Sequence, residues 1–497
     1  MSKTELNRRS LLKTGLLSAA AAGAAGFAGT AAAAQPAEAT AKEFDVVILG
    51  AGCAGLCAAL EAADKGAKVA LLDKMFGPFG NTIYAGGHFN ATNTYVQKRD
   101  GFTDTADEFY KDMMAVSQQR GDPALTRMYV EKSGEAIQWL TDRAGIQWKK
   151  MHKEPWPATV RGHVVDGPKT PGGAQLTTQL LDAVKASANI TLFFNTKAIE
   201  LLKTPALACT GVRAVTNKGE VIDFMAKGGV IVATGGFHNN KEMICKYMGG
   251  GVAWMPLRGA ATLTGENIEL TRPFFPQYVN MDQFHGGPIH GPTKANPSLM
   301  VNYGIIVNKE ARRIIDEVNT YVYVAKKLPT LTPDNWAFII IDQQVVDVPT
   351  VASRIKRYKK AKAPIYEGAT IAELAKAMNV PADILEKTVA DYNAAVKAGK
   401  AKQLTPPNTL ENAPLLEKGP FLGFPFQGGM TATFGGPKIS LKAEVLNTEN
   451  RPVPGLYAAG NAIGGLFYDD YIVGSQLTAA VIWGRVAGLE AAGRAKK

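Results

Sequence analysis

The stretch Phe44-Asp45-Val46-Val47-Ile48-Leu49-Gly50-Ala51-Gly52-Cys53-Ala54-Gly55 decides the fold. Its unbroken apolar run from Val46 to Leu49 predicts a short strand buried on both faces. Gly50, Gly52 and Gly55 follow at the spacing of a phosphate-binding turn, and an alanine-rich run to about Lys65 predicts a helix that starts inside that turn. Lys68-Val69-Ala70-Leu71-Leu72 then predicts a second strand, ending at Asp73. Each part has a physical task. Glycines let the backbone approach a pyrophosphate, and the helix N-terminus offers amide hydrogens and a positive dipole end. Asp73 can accept hydrogen bonds from ribose hydroxyls. A glycine turn alone is weak evidence, and a purely structural turn has no need of Asp73. Strand, turn, helix and acid together point to a bound dinucleotide.

Later segments select which dinucleotide. Gly80-Asn81-Thr82-Ile83-Tyr84-Ala85-Gly86-Gly87 is a polar, glycine-rich loop suited to lie along a flavin edge. Val230-Ile231-Val232-Ala233-Thr234-Gly235-Gly236 predicts another strand entering a glycine turn, which adds Thr234 and Gly235 to the candidate cofactor residues. Gly455-Leu456-Tyr457-Ala458-Ala459-Gly460-Asn461 predicts a third near the C-terminus. The nucleotide domain is therefore built from both ends of the chain with material inserted between. A simple nicotinamide dehydrogenase is seldom built so, and FAD is the expected cofactor.

Composition removes other classes. At 497 residues and 46% hydrophobic content, the chain can bury the cores of two or three domains. Its 51 glycines show no three-residue period, which excludes collagen. The four cysteines, Cys53, Cys57, Cys209 and Cys245, form neither a Cys-x-x-Cys-His haem site nor a zinc-type pair, so no metal site is expected. Cys53 and Cys57 read as small buried hydrophobes. The net charge is +11, of which the first 34 residues carry +3. The remaining basic residues are dispersed and not interleaved with aromatics, a solvated surface with no nucleic-acid partner.

Residues 1–34 have three parts: a basic start at Asn7-Arg8-Arg9-Ser10-Leu11-Leu12-Lys13, a weakly apolar stretch broken by Gly15, Gly23, Gly26 and Gly29, and small residues to Ala34. A spanning helix needs roughly 20 strongly apolar residues, so no permanent membrane anchor is expected. The arrangement resembles a twin-arginine export signal, which implies a periplasmic protein.

From residue 44 to the end, these segments in this order resemble the flavoprotein subunits of the fumarate reductase and succinate dehydrogenase superfamily. The likeness is strongest to the flavin domain of soluble flavocytochrome c fumarate reductases and to 3-ketosteroid dehydrogenases. Phe338-Ile339-Ile340-Ile341-Asp342 resembles the family's cap strand. Ile371–Lys376 and Ala382–Gly399, with Asp391-Tyr392-Asn393, resemble its helical cap pair, and Gly484-Arg485-Val486-Ala487-Gly488 its closing helix. The resemblance implies an α/β fold, a split Rossmann-type FAD-binding domain over 44–279 and 433–497 with an inserted α+β capping domain over 280–432. Substrate would lie between cap and flavin. By the same comparison Ala54, Asp73, Asn81, Thr82 and Gly86 fall where the family holds FAD, as do Ala198, Glu266, Asn461, Gln476 and Leu477. Asn461 stands where fumarate reductases carry glutamate. No flavin-attachment threonine motif is present, so the FAD is expected to be non-covalent, and His88 reads as structural rather than as a covalent link. Haem is absent, so electrons are expected from a separate donor such as a c-type cytochrome or a quinol-linked protein.

The catalytic positions depart from fumarate reductase. Where the family's proton-donating arginine stands, the run Arg313-Ile314-Ile315-Asp316-Glu317-Val318-Asn319-Thr320-Tyr321 places Tyr321. The proton relay falls near Pro297 and Met300, which carry no protons. Tyr471 replaces a second substrate arginine, and Ala432 a ligand histidine, leaving His285 as the remaining histidine candidate. Arginines grip dicarboxylates through bidentate charged hydrogen bonds, whereas tyrosine offers one neutral hydroxyl and a ring. The resemblance therefore implies an exported reductase of an activated carbon–carbon double bond. The small unsaturated substrate is expected to be an enoate or enone rather than fumarate, with Tyr321 as proton donor. Two other readings stay open, a dehydrogenase of the 3-ketosteroid or tricarballylate type and a flavin-bound electron carrier without substrate chemistry. The loop after Tyr471 lacks the Pro-Gly-rich sequence of the steroid enzymes.

Overall fold

The first strand runs Thr40–Leu49, and its apolar end is sealed, with Val46, Val47 and Ile48 fully buried. It pairs in parallel with Val69–Leu72, from Val46 opposite Val69 to Leu49 opposite Leu72, and that strand pairs in parallel with Ile190–Phe193. On the other side lies Val221–Val232, followed by Pro452–Ala458 and Glu444–Leu446. Leu456–Ala458 runs parallel to Val230–Val232. Both ends of the chain thus build one sheet, as the three strand-to-glycine segments predict. Thr196–Lys203 and Cys209–Thr216 extend it antiparallel from Val221–Val232, completing eight strands. This is a computed structural model, and it describes residues 39–152, 159–169, 172–318 and 320–497. The leader over 1–34 lies outside the described residues.

The helix after the glycine turn, Cys53–Asp64, is buried along nearly its whole length because its small residues admit a second helix. That second helix is Ser475–Ala495. A Cβ on Gly484 or Gly488 would come within 2.4 Å of the carbonyl oxygens of Ala54 and Ala58 respectively. Only glycine lets the two backbones lie so close. Cys53 and Cys57 sit inside this contact as small apolar groups, as expected.

A second sheet is built entirely from residues between Phe284 and Thr433. Its strands are Phe284–Ile289, Phe421–Thr433, Trp336–Ile341 and Ile305–Val307, with Tyr366–Gly368 added on Phe421–Thr433, all antiparallel where paired. Alternation along Trp336–Ile341 sorts two cores. Ala337, Ile339 and Ile341 pack with residues of the helices Tyr321–Leu331 and Pro349–Lys360. Phe338 and Ile340 pack with the helical pair Ile371–Met378 and Ala382–Lys397. Residues Ala41–Lys497 pack as one compact unit. No described helix is long and apolar enough to cross a membrane.

Candidate active site

A cavity of roughly 1060 Å³ runs from the Gly50 turn to the Tyr321 helix. Every sequence-nominated residue lines it except Gly55. Gly55 instead packs the turn against itself, since a Cβ there would lie 1.8 Å from the Gly50 carbonyl oxygen. Its role is close backbone packing rather than cofactor contact. Gly50 takes φ +102°, where a side chain would also strike the Ala233 carbonyl.

At the nucleotide end, the Asp73 carboxylate accepts the Ala51 and Met75 amides at 2.8 and 2.9 Å. Burial pushes its pKa up, while those two bonds pull it down. Lone pairs remain for a ribose. Thr82 Oγ1 accepts the Cys53 amide at 3.0 Å, holding the loop against the helix start. Asn81 clasps the Ala260 amide and donates to the Thr431 carbonyl at 2.7 and 2.9 Å, so most of its polar capacity belongs to the protein. Glu266 is ion-paired with Lys74, and its carboxylate also accepts from Thr264. The Gly80–Gly87 loop contains a single helical turn, Asn81–Tyr84.

The helices Cys53–Asp64 and Ser475–Ala495 begin at Gly52 and Gly474, which supply no side-chain cap. Gln476 and Leu477, in the first turn of the second, line the cavity beside Asn461. Four buried polar atoms of lining residues have no hydrogen-bond partner among the described residues: Thr234 Oγ1, Gln476 Nε2, His285 Nε2 and Arg354 Nε. Buried donors and acceptors left unmade cost about 1–3 kcal/mol each. The cavity is thus shaped for a long ligand with a polar edge, and these residues fit FAD.

The far end holds the three catalytic candidates together. Tyr321 opens the helix Tyr321–Leu331, whose N-cap Thr320 accepts the Tyr323 amide at 3.1 Å and donates to the Asp470 carboxylate. Asp470 in turn accepts the Tyr471 amide at 2.7 Å. The Tyr321 and Tyr471 phenols lie close enough for each to bear on the other's ionisation. The His285 ring stands 4.7 Å from that of Tyr471 and 6.1 Å from that of Tyr321. Burial raises both phenol pKa values, so both hydroxyls stay protonated at neutral pH. Burial drives His285 well below the usual histidine range, aided by the Arg258 charge. It is a neutral imidazole, with Nδ1 3.4 Å from Gln476 Oε1.

Ala432 lies directly across the strand pair from His285 and is buried. Met300 is buried in the core of the second sheet and contributes nothing to the cavity. His290 bonds Thr293 and packs on Trp336 and Tyr358, away from the cavity. His88 lines the cavity, and burial lowers its pKa.

Sequence reasoning missed two arginines. With the family's substrate arginines replaced, the pocket was expected to lack cationic grip, yet Arg258 and Arg354 line the same end. The Arg258 guanidinium lies 5.9 Å from the Tyr321 ring centroid and donates to Thr431 Oγ1 at 2.9 Å. Arg258 sits in Met255-Pro256-Leu257-Arg258-Gly259, which carries no recognisable motif. Arg354 and Arg357 recur one turn apart on a basic helix that reads as a solvated face, which was the only available signal.

Residues 45–469 match the model of the FAD binding domain family. The chain is 31% identical over 467 residues to an NADH:fumarate oxidoreductase of Klebsiella pneumoniae, covering 92% of this chain but 48%, about half, of that longer protein. It is 30% identical over 473 residues to the urocanate reductase of Eggerthella lenta, covering 92% of this chain and 76% of the relative. Among solved structures, the open conformation of a flavocytochrome c3 fumarate reductase superposes with a TM-score of 0.76 at 27% identity, covering 100% of this chain and 83% of that one. Family, cavity and unpartnered polar atoms agree: the chain belongs to the FAD-binding flavoproteins of the fumarate reductase superfamily and is an FAD-dependent oxidoreductase acting on carbon–carbon bonds.

Proposed function

We propose that the protein is an exported reductase of an activated carbon–carbon double bond, an enoate or enone, and that fumarate is not its substrate. In this reading residues 44–279 and 433–497 form the FAD-binding part and 280–432 the cap. Gly50, Gly52, Ala54 and the start of the Cys53 helix hold the pyrophosphate of a non-covalent FAD, Asp73 the ribose, and Asn461, Gln476 and Leu477 the flavin end. The chemistry FAD supplies there is hydride transfer.

The observation that carries the proposal is the buried pair of protonated phenols beside a neutral imidazole. Tyr321 donates a proton to the carbon next to the hydride acceptor, and Tyr471 beside it helps position the phenol. Met300 and Pro297 move no proton, so Tyr321 is recharged from water. The Asp470–Thr320 contact fixes the helix start that aims the phenol. Export through the 1–34 leader, and a c-type cytochrome or quinol-linked donor, complete the reading. Urocanate reduction by a relative supports the substrate class.

The paired tyrosines also suit a dehydrogenase that polarises a ketone, which is the second reading. Reduced methyl viologen as donor to crotonate, cinnamate, urocanate, fumarate, enones and unsaturated steroids, and a dye acceptor such as dichlorophenolindophenol with saturated ketones for the reverse direction, separate them. Turnover of an enoate or enone in the reducing direction supports the proposal. Oxidation of a saturated ketone with no reductive turnover replaces it with the second reading.

A further inference from the structure

We propose that Arg258 and Arg354 form a relocated anchor for a single substrate carboxylate, which makes the substrate a mono-anionic enoate. The inference rests on the reductase reading and names its substrate class. Neither arginine stands at Tyr321 or Tyr471, where the resemblance places substrate arginines.

The observations begin with what the guanidiniums lack. Arg354 Nε is buried without a hydrogen-bond partner among the described residues. Arg258 makes only neutral contacts there, to Thr431 Oγ1 at 2.9 Å and Ser298 Oγ at 3.4 Å. Of the other cations, Lys326 is ion-paired with Asp469 at 3.1 Å, while Arg357 and Lys294, which also line the cavity, are solvent-exposed. The two carboxylates lining the cavity, Asp73 and Glu266, belong to the nucleotide end, where Glu266 holds Lys74. A buried guanidinium facing a cavity without a counter-charge is costly unless an anion enters with the ligand. Burial lowers the Arg354 pKa to about 10, and the neighbouring Arg357 and Arg258 charges add to the shift; among the described residues no acid is ion-paired with either arginine of the pair.

The anchor also orients the reaction. Arg258 lies over the Tyr321 ring, and Arg354 is within electrostatic reach of the same phenol. A carboxylate held there places its α-carbon nearest Tyr321 and its β-carbon further along the cavity. In an enoate the β-carbon is the electrophile and the α-carbon accumulates negative charge. The proton donor therefore stands at the carbon that needs it. Beside Tyr321, Tyr471 and His285 offer neutral groups, which suit an uncharged body.

The test measures binding, not turnover, so it is independent of whether the protein reduces anything. Oxidised holoenzyme is titrated calorimetrically with crotonate, cinnamate, sorbate and fumarate, and with the primary amides of the first three. At least one monocarboxylate should bind roughly tenfold or more tighter than its amide, the worth of a charge-assisted contact. That preference should collapse in Arg354→Gln and in Arg258→Gln and survive in part in Arg354→Lys. Flavin content and circular dichroism check folding, and if Arg258→Gln misfolds, the two Arg354 variants carry the test. Fumarate should bind no tighter than crotonate. If every amide matches its acid, or the preference survives both Gln variants, the anchor is refuted. Fumarate binding far more tightly than every monocarboxylate refutes the single-carboxylate claim.

Discussion

Replacing Tyr321 by Phe removes one oxygen and leaves the ring that Arg258 overlies, 5.9 Å from its centroid. Burial holds the hydroxyl's pKa above the ordinary value. At neutral pH it is therefore fully protonated in the wild type, and its loss removes the whole acid rather than a fraction. General acid catalysis is worth about 10²–10⁴-fold, or about 3–5 kcal/mol of barrier. The expected variant binds FAD normally, keeps its KM within about threefold if binding rests on the arginines, and loses two to four decades of kcat. Anaerobic stopped-flow, mixing reduced enzyme with the best alkene of the viologen screen and following flavin absorbance, separates binding from chemistry. A Tyr321→Phe protein that reoxidises at the wild-type rate on that substrate has another acid, and the mechanism is wrong.

Acid precipitation should release FAD into solution; colour retained in the pellet contradicts the non-covalent assignment, and FMN in the supernatant contradicts the ribose role of Asp73. Gly484→Ala should lower the melting temperature and the flavin content together, because its Cβ would press within 2.4 Å of the Ala54 carbonyl. Such overpacking costs about 1–3 kcal/mol, and an unchanged melt removes the argument. Burial pushes Asp470 up to about 6. Its folded pKa lies above its unfolded value of about 4, so the associated stability is present below that value and lost as pH rises through about 6, roughly 3 kcal/mol in all. Asp470→Asn should therefore gain on wild type between pH 4 and 7 in thermal melts, and a constant difference across that range refutes the assignment.

The nucleotide end was legible because its chemistry is backbone chemistry. Gly50, Gly52 and Asp73 stand out by turn geometry and spacing, which survive in the linear sequence, and all three line the cavity. Tyr321 and Tyr471 were legible by position against a family. Arg258 and Arg354 were not, because their meaning is an absence: among the described residues no acid is ion-paired with either, and only tertiary packing shows that. Gly55 was misplaced by one layer, since a glycine for packing and a glycine for ligand contact look the same in sequence. Asp470 reads as one of two adjacent surface acids until Thr320 is seen to donate to it.

The central claim is reduction of an activated double bond at this cavity, and single turnover tests it most directly. Enzyme reduced chemically without oxygen is mixed with one equivalent of crotonate, cinnamate or urocanate, and product is quantified against flavin reoxidised. The account predicts that at least one of these enoates reoxidises the flavin and yields one saturated product per FAD. Reduced flavin that ignores every enoate and enone, yet is oxidised at once by a c-type cytochrome, would contradict it and leave an electron carrier.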